Sequence, residues 1–247
     1  MSDKDAPSSH WLLALESSTA HGGSALLLDG RPHGTFLLEE GLRHGRELTA
    51  SANTLMEAQS LKAADLLGVA VSAGPGSYTG IRVGAMAAKA LAWGAGIKLA
   101  AVSSLAALAQ TLVLDGAALE GDRIYTVQDA RRDEVYCGVF RIDNGLAIVE
   151  REDAAVTPEE AAEIMSTLEK AADRPIRLAG SSFTTYATVL GEREARPGRV
   201  DPAAVGQLGW RQILLEKTAD PMNFQPTYLR RDSDADWRHD HLISRNG

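Results

Sequence analysis

Apolar runs and helical spacings along the chain predict alternating strands and helices. Short apolar runs bounded by turn residues predict five strands in the first half, at residues 11–15, 25–28, 35–38, 68–73 and 98–102. Apolar residues that recur three and four positions apart predict two helices among them, at residues 46–59 and 81–93. The strand at 68–73 is apolar almost throughout, which is typical of a central strand covered on both faces.

The second half repeats the order of the first. Helices are predicted near residues 104–114 and 201–217, and strands at 123–127, 134–141, 146–151 and 176–179. A further helix starts at Thr157, because Thr157 can cap it, Pro158 suits the first helical position and Glu160 completes a capping box. Both halves read β-β-β-α-β-α without a repeat of sequence. This duplicated order predicts an α/β fold with two lobes of the actin, sugar-kinase and Hsp70 type.

The domain boundaries follow from this order. We expect a disordered lead at residues 1–10, an N-terminal actin-like lobe at 11–103, a C-terminal actin-like lobe at 104–230 and a flexible tail at 231–247. The length supports the division, because 247 residues suit one large domain or two lobes of about 100 to 120 residues each.

Composition narrows the function more than the fold. A net charge of −8 and a pI near 5.3, with scattered lysines and arginines, argue against a chain that grips nucleic acid by itself. The single cysteine, Cys137, allows no internal disulfide and fits a reducing compartment. The polar first ten residues do not resemble a signal peptide, and no apolar run approaches the ~18 residues of a membrane span. We therefore expect a cytoplasmic protein.

A glycine-rich segment, Gly74 to Gly80, lies between a predicted buried strand and a predicted helix. Its backbone N–H groups and the helix start could hold a phosphate or a carboxylate. Ile81-Arg82 follows the last glycine, where a P-loop carries Lys and Ser or Thr. The competing interpretation is a structural turn, because tight strand-to-helix connections need glycine anyway. The candidate contacts for an anion are Gly74, Gly76, Ser77 and Thr79.

Two polar turns could complete a nucleotide-like site. The first follows the first strand, where actin-like ATPases hold an aspartate near the metal and small residues near the phosphates; it contains Glu16, Ser17, Ser18 and Thr19. Glutamate is one methylene longer, so a plain turn with local hydrogen bonds is the alternative. Asp129 and Arg131 form the second turn and could face a cleft between the lobes. Asp129 could equally close an Asx-turn.

Signatures of metal binding and of nucleophilic catalysis are weak. The chain has no H-E-x-x-H, and the residue four positions after His44 is Leu48. Cys137 lies within a predicted strand and is expected to be a small core residue. We therefore expect no metal site, no catalytic residues and no cofactor beyond weak or vestigial ATP or ADP binding.

Six of the 13 residues in the helix at 81–93 are glycine or alanine: Gly84, Ala85, Ala87, Ala88, Ala90 and Ala92. Such a surface permits close contact with another helix as well as with the sheet, and the apolar stripe of the preceding helix would add to it. Packing within the core alone is the competing interpretation. The candidate partner interface comprises His44, Leu48, Ala52, Leu55, Met56, Gly84, Ala85, Met86, Lys89 and Trp93.

Five segments together resemble the TsaB (YeaZ) family. They are residues 13–19, 72–84, 102–105, 129–136 and 226–230. They occur in family order across about residues 11–230, and Gly-Pro-Gly-Ser-Tyr-Thr-Gly at 74–80 is the most specific of them. The resemblance implies an actin-like, two-lobed fold.

The resemblance also implies partners. In that family the protein pairs through its first two long helices with TsaD, a paralogue of the same fold that carries the transferase site, and TsaE, an ATPase, joins the pair. The complex transfers threonylcarbamoyl to adenosine 37 of tRNA. We therefore expect a scaffold subunit that forms a homodimer when alone and meets tRNA only through the complex. The alternative is an active phosphotransferase of the sugar-kinase type, with ATP and Mg²⁺ near Glu16 and Gly76.

Overall fold

A computed structural model of the chain describes residues 9–39 and 44–229. The strands in this part of the chain are β1 (Trp11–Glu16), β2 (Gly23–Leu28), β3 (Arg31–Leu37), β4 (Leu66–Gly74), β5 (Lys98–Ser103), β6 (Arg123–Arg131), β7 (Glu134–Asp143), β8 (Leu146–Val156) and β9 (Arg177–Ala179). The α-helices are α1 (His44–Ala58), α2 (Tyr78–Ala95), α3 (Ser104–Leu114), α4 (Pro158–Lys170), α5 (Ser182–Thr185), α6 (Ala187–Leu190) and α7 (Pro202–Leu214). None of the described helices is both long enough and apolar enough to cross a membrane.

The strands form two sheets with the same plan. The first sheet has the order β3-β2-β1-β4-β5, and the second has the order β8-β7-β6-β9. In each, the first three strands pair antiparallel and the next strand pairs parallel with the first. The second sheet therefore copies the first without its last strand. This duplication confirms the predicted α/β, actin-like fold.

Helices cover both sheets and fill the space between them. α1 and α2 pack on the outer face of the first sheet, where Leu13, Leu15 and Val69 form a core with Leu48 and Ala88. α7 packs on its inner face, α3 packs on the second sheet, and these two helices contact one another. α4 covers the outer face of the second sheet. The layers therefore run from α1 and α2 through the first sheet, the α3–α7 layer and the second sheet to α4.

Two glycines let α7 approach the first sheet closely. A Cβ added at Gly206 would overlap the Leu27 side chain, and one at Gly209 would overlap the Cβ of Ala70. α7 belongs by sequence to the predicted C-terminal lobe, yet it packs on the sheet of the predicted N-terminal lobe. The division at residue 104 stays a prediction. The predicted lead and tail lie outside the described residues, except for residues 9 and 10.

The side chain of Ser103 links the two sheets. Ser103 ends β5 and caps α3, since its Oγ accepts a hydrogen bond from Ala106 N at 3.0 Å. The same hydroxyl donates to a carboxylate oxygen of Asp153 in β8. Burial raises the pKa of Asp153 to about 6, although the hydrogen bond from Ser103 opposes the rise. The start of α3 is thus tied to a mostly buried acid of the second sheet.

The predicted elements are all present, and their ends differ by a few residues. β3 starts at Arg31, four positions before the predicted strand, because the turn Asp29-Gly30 passes directly into pairing with β2. α2 starts at Tyr78 rather than near residue 81, because Ser77 caps it and its Oγ accepts from Gly80 N. The capping box at Thr157 and Glu160 is confirmed. The short helices α5 and α6 were not predicted, since four residues are too few for a helical period to show.

We expect Gly209→Ala to destabilise the protein and Gly94→Ala to leave it as stable or slightly more so. Both glycines lie within helices, so each alanine gains up to about 1 kcal/mol of helix propensity. Only the Cβ at position 209 meets a neighbouring side chain, whereas that at 94 has nothing within 4 Å. Overpacking costs about 1–3 kcal/mol, so urea unfolding should show a net loss for Gly209→Ala alone. Equal stabilities of the two variants would contradict the close packing of α7.

We expect the stability of the wild type, relative to Asp153→Asn, to fall as pH rises from about 4 to 7. The raised pKa near 6 means that the folded state favours the protonated form of Asp153. The stabilisation of the folded state by that form is therefore fully present below about pH 4 and is lost as the pH rises through 6. Within that window the difference in unfolding free energy should change by up to about 1.4 kcal/mol per pH unit. Urea unfolding at several pH values measures it, with the exposed Asp143→Asn as control. A pH-independent difference for Asp153→Asn would refute the assignment.

Candidate functional site

A cleft of about 1020 Å³ opens at the ends of the strands, between the two sheets. Its walls come from the turn after β1, the glycine-rich loop before α2, the turn between β6 and β7, the start of α3, and the segments near residues 197–200 and 227–228. Of the predicted anion-site residues, the cleft brings together Ser18, Thr19, Gly76, Ser77, Thr79, Asp129 and Arg131. Glu16, Ser17 and Gly74 lie buried behind this lining.

The carboxyl group of Glu16 folds back onto its own turn. Its Oε1 accepts hydrogen bonds from Ser18 N and Ser18 Oγ, both at 2.7 Å, and from Thr19 N at 3.2 Å. In a nucleotide-binding turn, backbone N–H groups of this kind face a phosphate. Here an internal carboxyl oxygen takes that position. The alternative reading of this segment as a turn held by local hydrogen bonds matches the geometry.

Glu16 is fully buried, and burial raises the pKa of its carboxyl group above the ordinary range. The neighbouring Ser72 hydroxyl and the hydrogen bonds from Ser18 and Thr19 oppose that rise. Its Oε2 is also buried and makes no hydrogen bond with the described residues. The group therefore holds the turn and does not reach the cleft, where a metal or a substrate would meet it.

The glycine-rich loop packs directly on the turn after β1. Ser77 N donates to Ser18 O at 2.8 Å, and Ser17 Oγ donates to Gly80 O at 2.8 Å. A Cβ at Gly76 would overlap Ser18 O, and one at Gly80 would overlap Ser17 O. The glycines are therefore required by this backbone contact, as the structural-turn interpretation expects. Anion binding by the loop stays a prediction.

The turn between β6 and β7 brings charge to the opposite wall. Asp129 Oδ1 accepts from Arg131 N at 2.7 Å, which is the predicted Asx-turn, and both residues also line the cleft. Arg131, Arg132 and Asp133 all adopt left-handed backbone angles, with φ of 62°, 53° and 57°. Such angles are costly for residues other than glycine, and the Asx-turn and the pairing of β6 with β7 offset that cost.

The potential metal ligands and the single cysteine lie apart from one another in the described residues. Within residues 9–39 and 44–229, no group of three or more His, Cys, Asp or Glu side chains is placed to hold a metal ion. Cys137 is buried in β7 among Tyr125, Val139 and Met165, as predicted for a small core residue. Burial raises the pKa of its thiol, which keeps the less reactive protonated form.

The predicted interface residues separate into two groups. Five of them pack against the first sheet and are buried in the isolated chain: Leu48, Ala52, Met56, Gly84 and Ala85. Met86 and Trp93 are 66% and 69% exposed, and Leu55 and Lys89 are partly exposed. The side chain of His44 lies outside the described residues. Apolar spacing alone did not distinguish these groups, because one helix carries both a core stripe and an outer stripe.

A C-terminal segment also belongs to this region and had no predicted role. Thr227 and Tyr228 line the cleft, and Thr227 N donates to Ala73 O at 2.8 Å. The ring of Tyr228 lies 5.6 Å from that of Tyr78 at the start of α2. The sequence marked these residues only through the resemblance of segment 226–230, since the contact joins positions about 150 residues apart.

Comparison with known proteins gives consistent results along the chain. A family model described as "TsaD: tRNA N6-adenosine threonylcarbamoyltransferase" matches residues 40–187. The tRNA threonylcarbamoyladenosine biosynthesis protein TsaB of Bacillus subtilis (strain 168) is 29% identical over 233 residues, which are 92% of this chain and 97% of the relative. The TsaB protein of Escherichia coli (strain K12) is 30% identical over 158 residues, which are 64% of this chain and 67% of the relative.

Solved structures agree with the fold. An uncharacterized protein from Pseudomonas aeruginosa, described as similar to peptidase YEAZ, superposes with a TM-score of 0.76 at 25% identity and covers 90% of this chain and 100% of its own. YeaZ from Pseudomonas aeruginosa superposes with a TM-score of 0.75 at 24% identity, over 89% of this chain and 100% of its own.

We expect Glu16→Ala to lower the free energy of unfolding by about 2–4 kcal/mol. The change leaves two backbone N–H groups and one hydroxyl without their acceptor in a buried turn, and it opens a cavity. Glu16→Gln keeps an oxygen in that place and should cost less than half as much. Urea unfolding compares the two. Equal losses for alanine and glutamine would show that the acceptor oxygen does not hold the turn.

Proposed function

The chain belongs to the TsaB (YeaZ) family, and on that premise we propose that it is the non-catalytic scaffold subunit that binds a TsaD-like paralogue. The names of its relatives in Bacillus subtilis and Escherichia coli assign it to the biosynthesis of tRNA threonylcarbamoyladenosine. The scaffold role rests on two features of this chain. The first is the outer face of α2, and the second is the turn after β1, whose N–H groups bond to the carboxyl group of Glu16.

A partner of the same fold is supported by the relationship between the two protein types. The model named for the TsaD transferase matches residues 40–187, which run from the start of α1 into the second sheet and beyond it. This chain and TsaD-type transferases therefore share ancestry over most of both lobes. Paralogues of one fold often associate through equivalent surfaces, which here would be the helix pair α1 and α2.

The observation that carries the proposal is the exposure of Met86 and Trp93 on the outer side of α2, whose inner side is mainly glycine and alanine. Both side chains are about two-thirds exposed, and exposed apolar residues that lie together mark interaction surfaces more often than single ones do. They are separated by seven positions and so lie on one face of α2. The neighbouring Ala90 is also exposed, and its small side chain would let another helix approach closely.

The cleft supports a role without catalysis. Its phosphate-facing turn is occupied by the carboxyl oxygen of Glu16, and the glycine-rich loop bonds to that turn. An active sugar-kinase-type phosphotransferase would need these same N–H groups for ATP and a carboxylate free to meet Mg²⁺. We therefore favour the scaffold over that alternative.

Further partners complete the proposal. A TsaE-like ATPase would join the pair, and tRNA would meet this chain only through the complex, in keeping with the net charge of −8. A homodimer through the same helix face would form when the paralogue is absent, because it hides the same apolar area. The proposed location is the cytoplasm, where the substrate tRNA is found.

We expect Met86→Glu to weaken binding to the TsaD-like paralogue at least 10-fold. A carboxylate placed in an apolar helix contact must lose its hydration without gaining a partner, which costs more than about 1.4 kcal/mol. Leu55→Glu tests the neighbouring helix in the same way. Co-expression with the paralogue from the same organism, followed by size-exclusion chromatography and calorimetry, measures the loss.

Leu119→Glu is the matched control, because Leu119 is 63% exposed but lies in the connection between α3 and β6. It should bind like the wild type. Thermal melting confirms that each variant is folded. Normal co-elution of folded Met86→Glu would rule out this helix face as the binding surface.

A further inference from the structure

The chain after α7 returns across the outer face of the first sheet. We define residues 219–229 as the C-terminal strap. It starts beside β5, where Ala219 N donates to Leu99 O at 2.8 Å, and it reaches the glycine-rich loop, where Thr227 N donates to Ala73 O at 2.8 Å. The Thr227 carbonyl lies so close to Gly74 that an added Cβ there would be 2.7 Å from its oxygen. Both ends of the strap are therefore bonded to the first sheet.

Between these ends, the strap is attached to α2. Lys89 Nζ donates to Phe224 O at 2.9 Å and to Met222 O at 3.2 Å. Phe224 is buried in the core beneath α1 and α2. The ammonium group of Lys89 thus holds two backbone carbonyls of the strap, and these hydrogen bonds place the middle of the strap alongside α2.

The strap adds apolar side chains to the exposed face of α2. Met222 is 63% exposed and lies next to Lys89, which falls between Met86 and Trp93 on the helix. Tyr228 is half-exposed, and its ring contacts that of Tyr78. The exposed apolar surface thus continues from the helix onto the strap at both of its ends: Tyr78, Met86, Trp93, Met222 and Tyr228.

We infer that the strap and the outer face of α2 form one docking surface, and that it receives the same TsaD-like partner. This inference rests on the proposed function and extends it, since the strap becomes part of the interface. The partner's chemistry follows from charge. The charged residues of α2 are Arg82 and Lys89, both cationic, in a chain of net charge −8. Arg82 stacks over the Tyr78 ring at 5.0 Å, so an apolar partner helix with a carboxylate opposite Arg82 fits this surface.

The strap also connects the docking surface to the cleft. Thr227 and Tyr228 line the cleft on one side, and the Tyr228 ring meets α2 on the other. A partner on the α2–strap surface would therefore cover one rim of the cleft and hold the strap against the glycine-rich loop. Hydrogen exchange of the strap amides, above all of Thr227 N–H, should slow at least 10-fold when the partner binds.

The experiment compares Met222→Glu with Leu214→Glu. The side chains of Met222 and Leu214 are each 63% exposed. Leu214, however, lies at the end of α7, which packs on the opposite face of the first sheet. With the purified full chain and the TsaD-like paralogue, calorimetry should show at least 10-fold weaker binding for Met222→Glu. Leu214→Glu should bind within about twofold of the wild type, and melting curves should show both variants folded.

The outcomes separate this inference from the proposed function. If Met86→Glu loses the partner while folded Met222→Glu keeps it, the strap is outside the interface and the inference fails while the scaffold role stands. If neither variant weakens binding, the partner docks elsewhere on the chain, and both the helix-face assignment and this inference fail. If the wild type itself does not bind the paralogue, the scaffold role fails. If Met222→Glu abolishes only a homodimer in sedimentation experiments, the surface receives a second copy of this chain, and the inference is overturned.

Discussion

The packing of the glycine-rich loop on the turn after β1 is the contact on which the rest of the site depends. Carbonyl groups of Ser17 and Ser18 occupy the space where side chains at positions 76 and 80 would lie. This contact sets where α2 begins and which way it points. It also uses polar groups on both segments that could otherwise face a ligand, because Ser77 N and Gly80 O bond to the turn. The close approach of the two backbones therefore fixes both the start of α2 and one wall of the cleft.

The side chain of Glu16 stabilises the turn after β1 from within the chain. The Glu16 carboxyl group reaches its own turn and accepts hydrogen bonds from Ser18 N and Thr19 N. The group is fully buried, and burial raises its pKa. The turn therefore has an acceptor from within the chain for its N–H groups.

The outer surface of α2 is the part of the molecule on which the proposed partner binding depends. The inner side of α2 meets the sheet mainly through glycine and alanine. Met86 and Trp93 are exposed on the outer side of α2, and the C-terminal strap adds the exposed side chains of Met222 and Tyr228. An extended apolar surface with cationic residues suits a stable protein partner better than a small ligand. The proposed scaffold role therefore rests on the helix side of the molecule and not on the cleft.

The sequence by itself determined what depends on neighbours in the chain. Periodicity located the strands and helices, Thr157 and Glu160 marked a helix start, and the β-β-β-α-β-α order predicted the duplicated fold, because these signals are local or repeat along the chain. Only the tertiary structure decided what depends on distant contacts. Apolar spacing could not separate buried Leu48 and Ala85 from exposed Met86, since a core stripe and a binding stripe have the same period. The position of α7 on the first sheet and the path of the strap depend on contacts between residues far apart in sequence. The orientation of the Glu16 side chain depends on the backbone geometry of its turn, which residue spacing does not encode.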